Sequence, residues 1–177
     1  HLSLRRQRQM CIRDSTMIVP FAAGGPTDTV ARLVAQSMGN TLKQTVLVEN
    51  VGGAGGTIGA ARVAKSAPDG YTLFLHHIGQ STAPSLYRKL SYNAVDDFEP
   101  IGLITDVPMT FIARGDFPAK DLKELLAYVK ANKSKVTYAN AGVGSASHLC
   151  GMLFMTAIDT ELTTVCLLYT SDAADEG

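Results

Sequence analysis

The chain has 177 residues, 46% hydrophobic and 18% charged, with sixteen bases against sixteen acids. That is the composition of a globular α/β-sized protein, and it excludes both a disordered tail and a nucleic-acid binder, which needs clustered positive charge. No run of 18 apolar residues occurs, so no segment reads as a membrane-spanning helix, and no apolar stretch follows the basic start to form a signal peptide.

Met17 to Phe21 (MIVPF) is a short apolar run that ends in the turn AAGGPTD, the pattern of a buried strand. Pro26 suits a first helical position, and Val30, Leu33, Val34 and Met38 recur at helical spacing. The unit then repeats. TVLVE (45–49) reads as a strand, followed by Gly52, Gly53, Gly55 and Gly56 and a helical TIGAARVAKSA. Pro68, Asp69 and Gly70 make a turn, YTLFLH a third strand, and Ser81 to Leu90 contains a short helix. Ser91 to Pro100 is a polar connection. IGLIT (101–105) and MTFIA (109–113) read as two strands, Asp121 to Lys130 as a helix, and KVTYAN as a strand. The turn AGVGSAS and a helix bearing Leu149, Met152, Leu153 and Thr156 complete the series. Strands and helices in alternation predict a parallel α/β architecture, with one lobe over 16–100 and a second over 101–165.

The two ends are expected not to belong to the protein. A DNA segment that encodes Cys166 to Glu176 (CLLYTSDAADE), read on its other strand, encodes Arg5 to Asp14 (RRQRQMCIRD). Such a segment looks like a transposase-type sequencing adapter placed at both ends of an insert. Residues 1–15 and 166–177 are therefore set aside from the fold. Each charge type loses four residues with them, so the remainder stays balanced. Cys11 and Cys166 also go, which leaves Cys150 without a disulfide partner or a thiolate metal set.

Two glycine turns each end a strand and open a helix. There, free backbone N–H groups and the positive end of the helix dipole favour an anion, carboxylate or phosphate. Gly24 and Gly25 let the first backbone approach a ligand, and Thr27 and Asp28 can cap the helix or bond it. Gly142 and Gly144 serve the second turn, with hydroxyls on Ser145 and Ser147. A single such turn is most simply a strand-to-helix connection; two at equivalent places argue for a ligand site. Competing motifs are incomplete. GVGSAS lacks the third glycine of a dinucleotide fingerprint, neither turn has a P-loop lysine, and no G-x-S-x-G elbow frames Ser145, Ser147 and His148. His76 and His77, adjacent on a predicted strand, are expected on opposite faces and so not to share a metal.

IVPFAAGGPTDTVARLVAQSM, LVENVGGAGGTIGAARVAKSAPDGYTL, LYRKLSYNAVDDFEPIGLI and VTYANAGVGSASHL together resemble the tripartite tricarboxylate transporter substrate-binding proteins, the Bug family. The likeness spans nearly all of Thr16 to Leu149. It departs at Val51-Gly52-Gly53, where the family usually has Arg-Pro-Gly, and at Gly151-Met152, where an acid commonly follows the second turn.

The resemblance implies a type II periplasmic-binding-protein fold, here incomplete, with two α/β lobes and a cleft for a small carboxylate. It assigns ligand contacts to Phe21, Ala22, Gly24, Gly25, Thr27 and Asp28 in the first turn. In the second it assigns them to Ala141, Gly144, Ser145, Ala146, Ser147 and His148. Gly79, Gln80, Ser81 and Thr82 line the same cleft. It implies no catalytic residue, no metal and no cofactor. The expected setting is the periplasm, as a monomer serving membrane transporter subunits. An α/β enzyme acting on a phosphorylated or carboxylate substrate is the alternative. A fragment without the returning strands of its lobes would expose an apolar edge, so this chain alone is expected to bind its ligand poorly.

Overall fold

A computed structural model describes residues 14–166. The chain divides into two compact units, His1–Phe98 and Glu99–Gly177.

In the first unit, β1 (Ser15–Val19), α1 (Pro26–Leu42), β2 (Val46–Asn50), α2 (Thr57–Ala64), β3 (Thr72–Phe74) and α3 (Gly79–Leu86) follow in order, with a 3-10 turn at Ala54–Gly56 before α2. The sheet is parallel in the order β2-β1-β3, and Met17 sits opposite Val48 on one side and Leu73 on the other. As the central strand, β1 is covered on both faces. Met17, Ile18 and Val19 are therefore all buried, a continuous apolar run rather than an alternating one.

Pro26 stands in the first turn of α1, where a missing N–H costs nothing. The face that α1 turns to the sheet is built on Ala31 and Ala35, with Val30, Val34 and Met38 at its margins. Leu33, expected on that face, is 62% exposed. Two alanines let the helix lie close to β1, and this rotates Leu33 outward.

Close approach also governs α2. A Cβ on Gly59 would lie 2.8 Å from Pro20 Cβ and 2.9 Å from the Val51 carbonyl oxygen. Neither neighbour is a flexible side-chain tip. Gly59→Ala should therefore cost about 1–3 kcal/mol by overpacking, read as a lowered urea midpoint. A midpoint equal to the parent's would show that the helix has room to move.

In the second unit, α4 (Leu122–Ala131), β4 (Thr137–Asn140), α5 (Ala146–Ala157) and β5 (Thr163–Cys166) form two parallel strands with a helix between them in sequence. Asp121 caps α4 by accepting from Glu124 N at 2.8 Å, while Glu124 reaches back to Lys120 N. Ser15 and Cys166, set aside with the tails, are the end residues of β1 and β5. Ladder hydrogen bonds run through the backbone and accept any non-proline residue. The other tail residues, apart from Asp14, lie outside the described residues.

The predicted strands IGLIT and MTFIA are not strands. Residues 101–113 have no regular structure, and Ile101, Leu103 and Ile112 are more than four-fifths exposed. Their composition suits a pleated half-buried surface. A strand exists only where a neighbour completes its ladder, and none of the described residues does so here.

Candidate functional site

The first turn is held by a network centred on Asp28. This residue is 2% exposed. Its Oδ2 accepts from Gly24 N and from Arg32 Nε, each at 2.9 Å, and its Oδ1 accepts from Asn50 Nδ2 at 2.9 Å. Asn50 Nδ2 also donates to the Phe21 carbonyl at 3.0 Å, which ties the end of β2 to the start of the turn. The guanidinium of Arg32 is the main cause that holds the Asp28 carboxyl at about 2, below its usual 3.8. Donation from Gly24 and Asn50 adds to this, and burial opposes it.

Asp28 therefore positions the turn with both oxygens occupied, rather than capping α1 or facing outward. The N-cap is Gly25, without a side-chain acceptor. Thr29 N makes the first helical hydrogen bond, to Gly25 O at 3.0 Å, so Thr27 N and Asp28 N precede the ladder and have no acceptor among the described residues. Ala22 and Phe21 lie beside Gly52, whose Cβ position would be 3.8 Å from Ala22 N.

The second turn repeats this logic with different residues. Buried Asn140 accepts from Gly142 N at 2.8 Å. Gly142 and Gly144 adopt φ of 114° and 84°, a region that suits glycine. Ser145, 2% exposed, caps α5 by accepting from His148 N at 3.2 Å, and its hydroxyl also meets that of Ser147 at 3.0 Å. Ser147 Oγ accepts from Ala141 N at 3.0 Å. Both serine hydroxyls thus hold the turn. Leu149 N bonds Ser145 O, which leaves the amides of Ala146 and Ser147 ahead of the helical ladder. His148 Nδ1 takes the Gly144 N–H at 3.4 Å. The ring is therefore tied to backbone rather than to either serine, unlike a nucleophile–base pair.

Gly79 to Thr82 form the first turn of α3. Ser81 and Thr82 hydroxyls donate back to the Ile78 carbonyl, and Gln80 Nε2 donates to Ala94 O at 3.2 Å while its buried Oε1 has no partner among the described residues. The two residues that lead into this segment meet the first turn through rings: His77 stacks on Phe21 at 4.4 Å between centroids, and His76 meets Phe21 edge-on at 5.4 Å. β3 ends at Phe74, so the two histidines lie past the strand and their rings approach to 4.9 Å. The expectation of opposite faces fails for that reason. Among the described residues, no three His, Cys, Asp or Glu side chains converge as a metal set.

The sequence reading missed Asn50, Arg32 and Asn140. An asparagine closing a strand two residues before a glycine is a local signal that would have found Asn140. Arg32, four residues after Asp28 on the same helix, carries the i,i+4 acid–base spacing. Asn50 closes β2 two residues before Gly52 with the same mark as Asn140, although its partners lie 22 and 29 residues away.

The profile described as the tripartite tricarboxylate transporter family receptor matches residues 30–173. A UPF0065 protein of Agrobacterium vitis is 56% identical over 150 residues, which is 85% of this chain and 43% of that protein. The solved structure of periplasmic binding protein BugD is 56% identical with a TM-score of 0.86, over 93% of this chain and 55% of its own. MatC from Rhodopseudomonas palustris with bound malate is 43% identical with a TM-score of 0.84, over 93% of this chain and 56% of its own. The chain spans about half the length of the curated relatives it matches. It belongs to the tripartite tricarboxylate transporter receptor family and carries, in part, that family's periplasmic-binding-protein α/β fold.

Proposed function

We propose that this chain is the carboxylate-capturing part of a periplasmic solute receptor, which takes up a small di- or tricarboxylate and delivers it, as a monomer, to membrane transporter subunits. The observation that carries the reading is the pair of amides left ahead of the helical ladder at each turn, Thr27 with Asp28 and Ala146 with Ser147. Oriented N–H groups at a helix start hold a carboxylate without a neighbouring cation. MatC, which shares the fold and holds malate in its solved structure, supports the choice of ligand class. The role is capture without turnover: His148 is engaged with Gly144 and the serine hydroxyls with the turn, so neither is arranged for attack.

The test is a malate titration of the 15N-labelled 177-residue chain, followed by amide chemical shifts. The Thr27 and Asp28 signals of the first unit, and the Ala146 and Ser147 signals of the second, should each move, with dissociation constants of roughly 1 mM. Malate should be recovered unaltered. If those four amides stay still while malate reaches saturating levels, the reading is wrong.

A further inference from the structure

We propose that His77 is the side-chain hydrogen-bond donor of the first unit's carboxylate site, giving its Nε2–H to a ligand oxygen. The inference rests on the carboxylate reading above and adds a residue to it. His77 Nδ1 accepts the Gly79 N–H at 3.1 Å. With Nδ1 committed as an acceptor, a neutral ring must carry its proton on Nε2. Burial keeps the ring neutral, holding its pKa at about 4 instead of 6.5. Nε2–H has no acceptor among the described residues, and the ring is only partly covered.

Position completes the case. The ring lies flat on Phe21, the residue that opens the first glycine turn, and so stands at the carboxyl ends of β1 and β3. That edge is where open parallel sheets receive ligands. His76 is excluded from the role by its packing. Its Nδ1 accepts from His77 N at 2.7 Å, and its Nε2 abuts Gly56, 2.8 Å from where a Cβ would stand. The backbone bonds therefore orient His77 through its neighbours on both sides, and only one of its ring atoms remains to be used. A neutral donor adds directionality to amides that already supply the positive potential, and it adds no net charge to desolvate.

Two substitutions separate the ring's two nitrogens. His77→Asn places an acceptor near the Nδ1 position and removes the donor at Nε2; His77→Gln places an amide donor near Nε2. Malate is titrated into the 15N-labelled chain and both variants, with the imidazole nitrogens followed alongside the backbone amides. In the parent, Nε2 should shift in step with Thr27 and Asp28. His77→Asn should weaken binding about tenfold, and His77→Gln should stay within about threefold of the parent. If the Thr27 and Asp28 amides respond while His77 Nε2 does not, and His77→Asn binds as the parent does, this inference falls and the carboxylate reading stands. If both variants lose binding equally and displace the first-turn amides before malate is added, His77 only supports Phe21 and the inference falls. If no amide responds in the parent, both fall together.

Discussion

Acidification from about pH 6.5 to pH 4 should destabilise the first unit by a few kcal/mol, starting well above the range where carboxylates titrate. Burial drives the pKa of His76 from 6.5 to about 3, with the neighbouring charge of His77 adding to it, and burial alone drives His77 to about 4. In the unfolded chain both imidazoles take a proton near 6.5. In the folded unit they refuse it until the pH is far lower. Across that interval the unfolded state binds more protons, so stability rises with pH there and is lost as the pH falls. Each imidazole contributes at most about 1.4 kcal/mol per pH unit, less whatever solvent reaches the ring. Asp28 works in a lower window. Its stabilisation is whole above 3.8 and fades as the pH drops toward about 2. Urea unfolding at a series of pH values from 7 to 4 checks this. A flat profile down to pH 4 would mean that the two rings are hydrated. The slope should largely disappear in a His76→Phe/His77→Phe double variant, whatever that variant's absolute stability.

Asp28→Ala should cost about 2–4 kcal/mol, the largest single-residue effect expected in the first turn. The substitution strands three donors at once: Gly24 N, Arg32 Nε and Asn50 Nδ2. They are not equal. The Arg32 side chain is 54% exposed and returns to water cheaply. Gly24 N loses the one acceptor it has among the described residues. Asn50 keeps the Phe21 carbonyl but loses the partner that fixes its orientation. Most of the loss therefore comes from the turn itself. The same variant should lose the acid-dependent component below pH 3.8. Thr29→Ala, which removes only an exposed hydroxyl bonded to Gly25 O, is the control and should change stability by less than about 0.5 kcal/mol. A loss below about 1 kcal/mol for Asp28→Ala would show that water replaces the carboxylate without strain.

Local pattern carried the reading where local physics decides the structure. Apolar MIV ending in a proline and two glycines makes a strand and a turn, and Pro26 then starts a helix, without help from distant residues. The second turn was legible for the same reason. Part of what escaped depended on partners far along the chain. Asn50 reaches Asp28 across 22 residues and Phe21 across 29, a spacing with no periodic signature. IGLIT and MTFIA carry the residue preferences of strands, yet preference cannot supply the neighbouring ladder. Ser145, Ser147 and Asp28 have ligand-binding chemistry, but each is engaged in holding its own turn, and the sequence cannot distinguish a hydroxyl that faces out from one that faces in.

On the proposed reading, His77 stands beside the first turn, and the donors of the two turns themselves are main-chain amides. They belong to the backbone, so no point mutation other than to proline deletes them, and the side chains around them can change while the anion hold persists. Selection can therefore alter which acid is preferred through neighbouring residues, without first passing through a variant that holds none. Novelty of ligand comes cheaply in such a scaffold, while loss of the buried anchor beneath it does not.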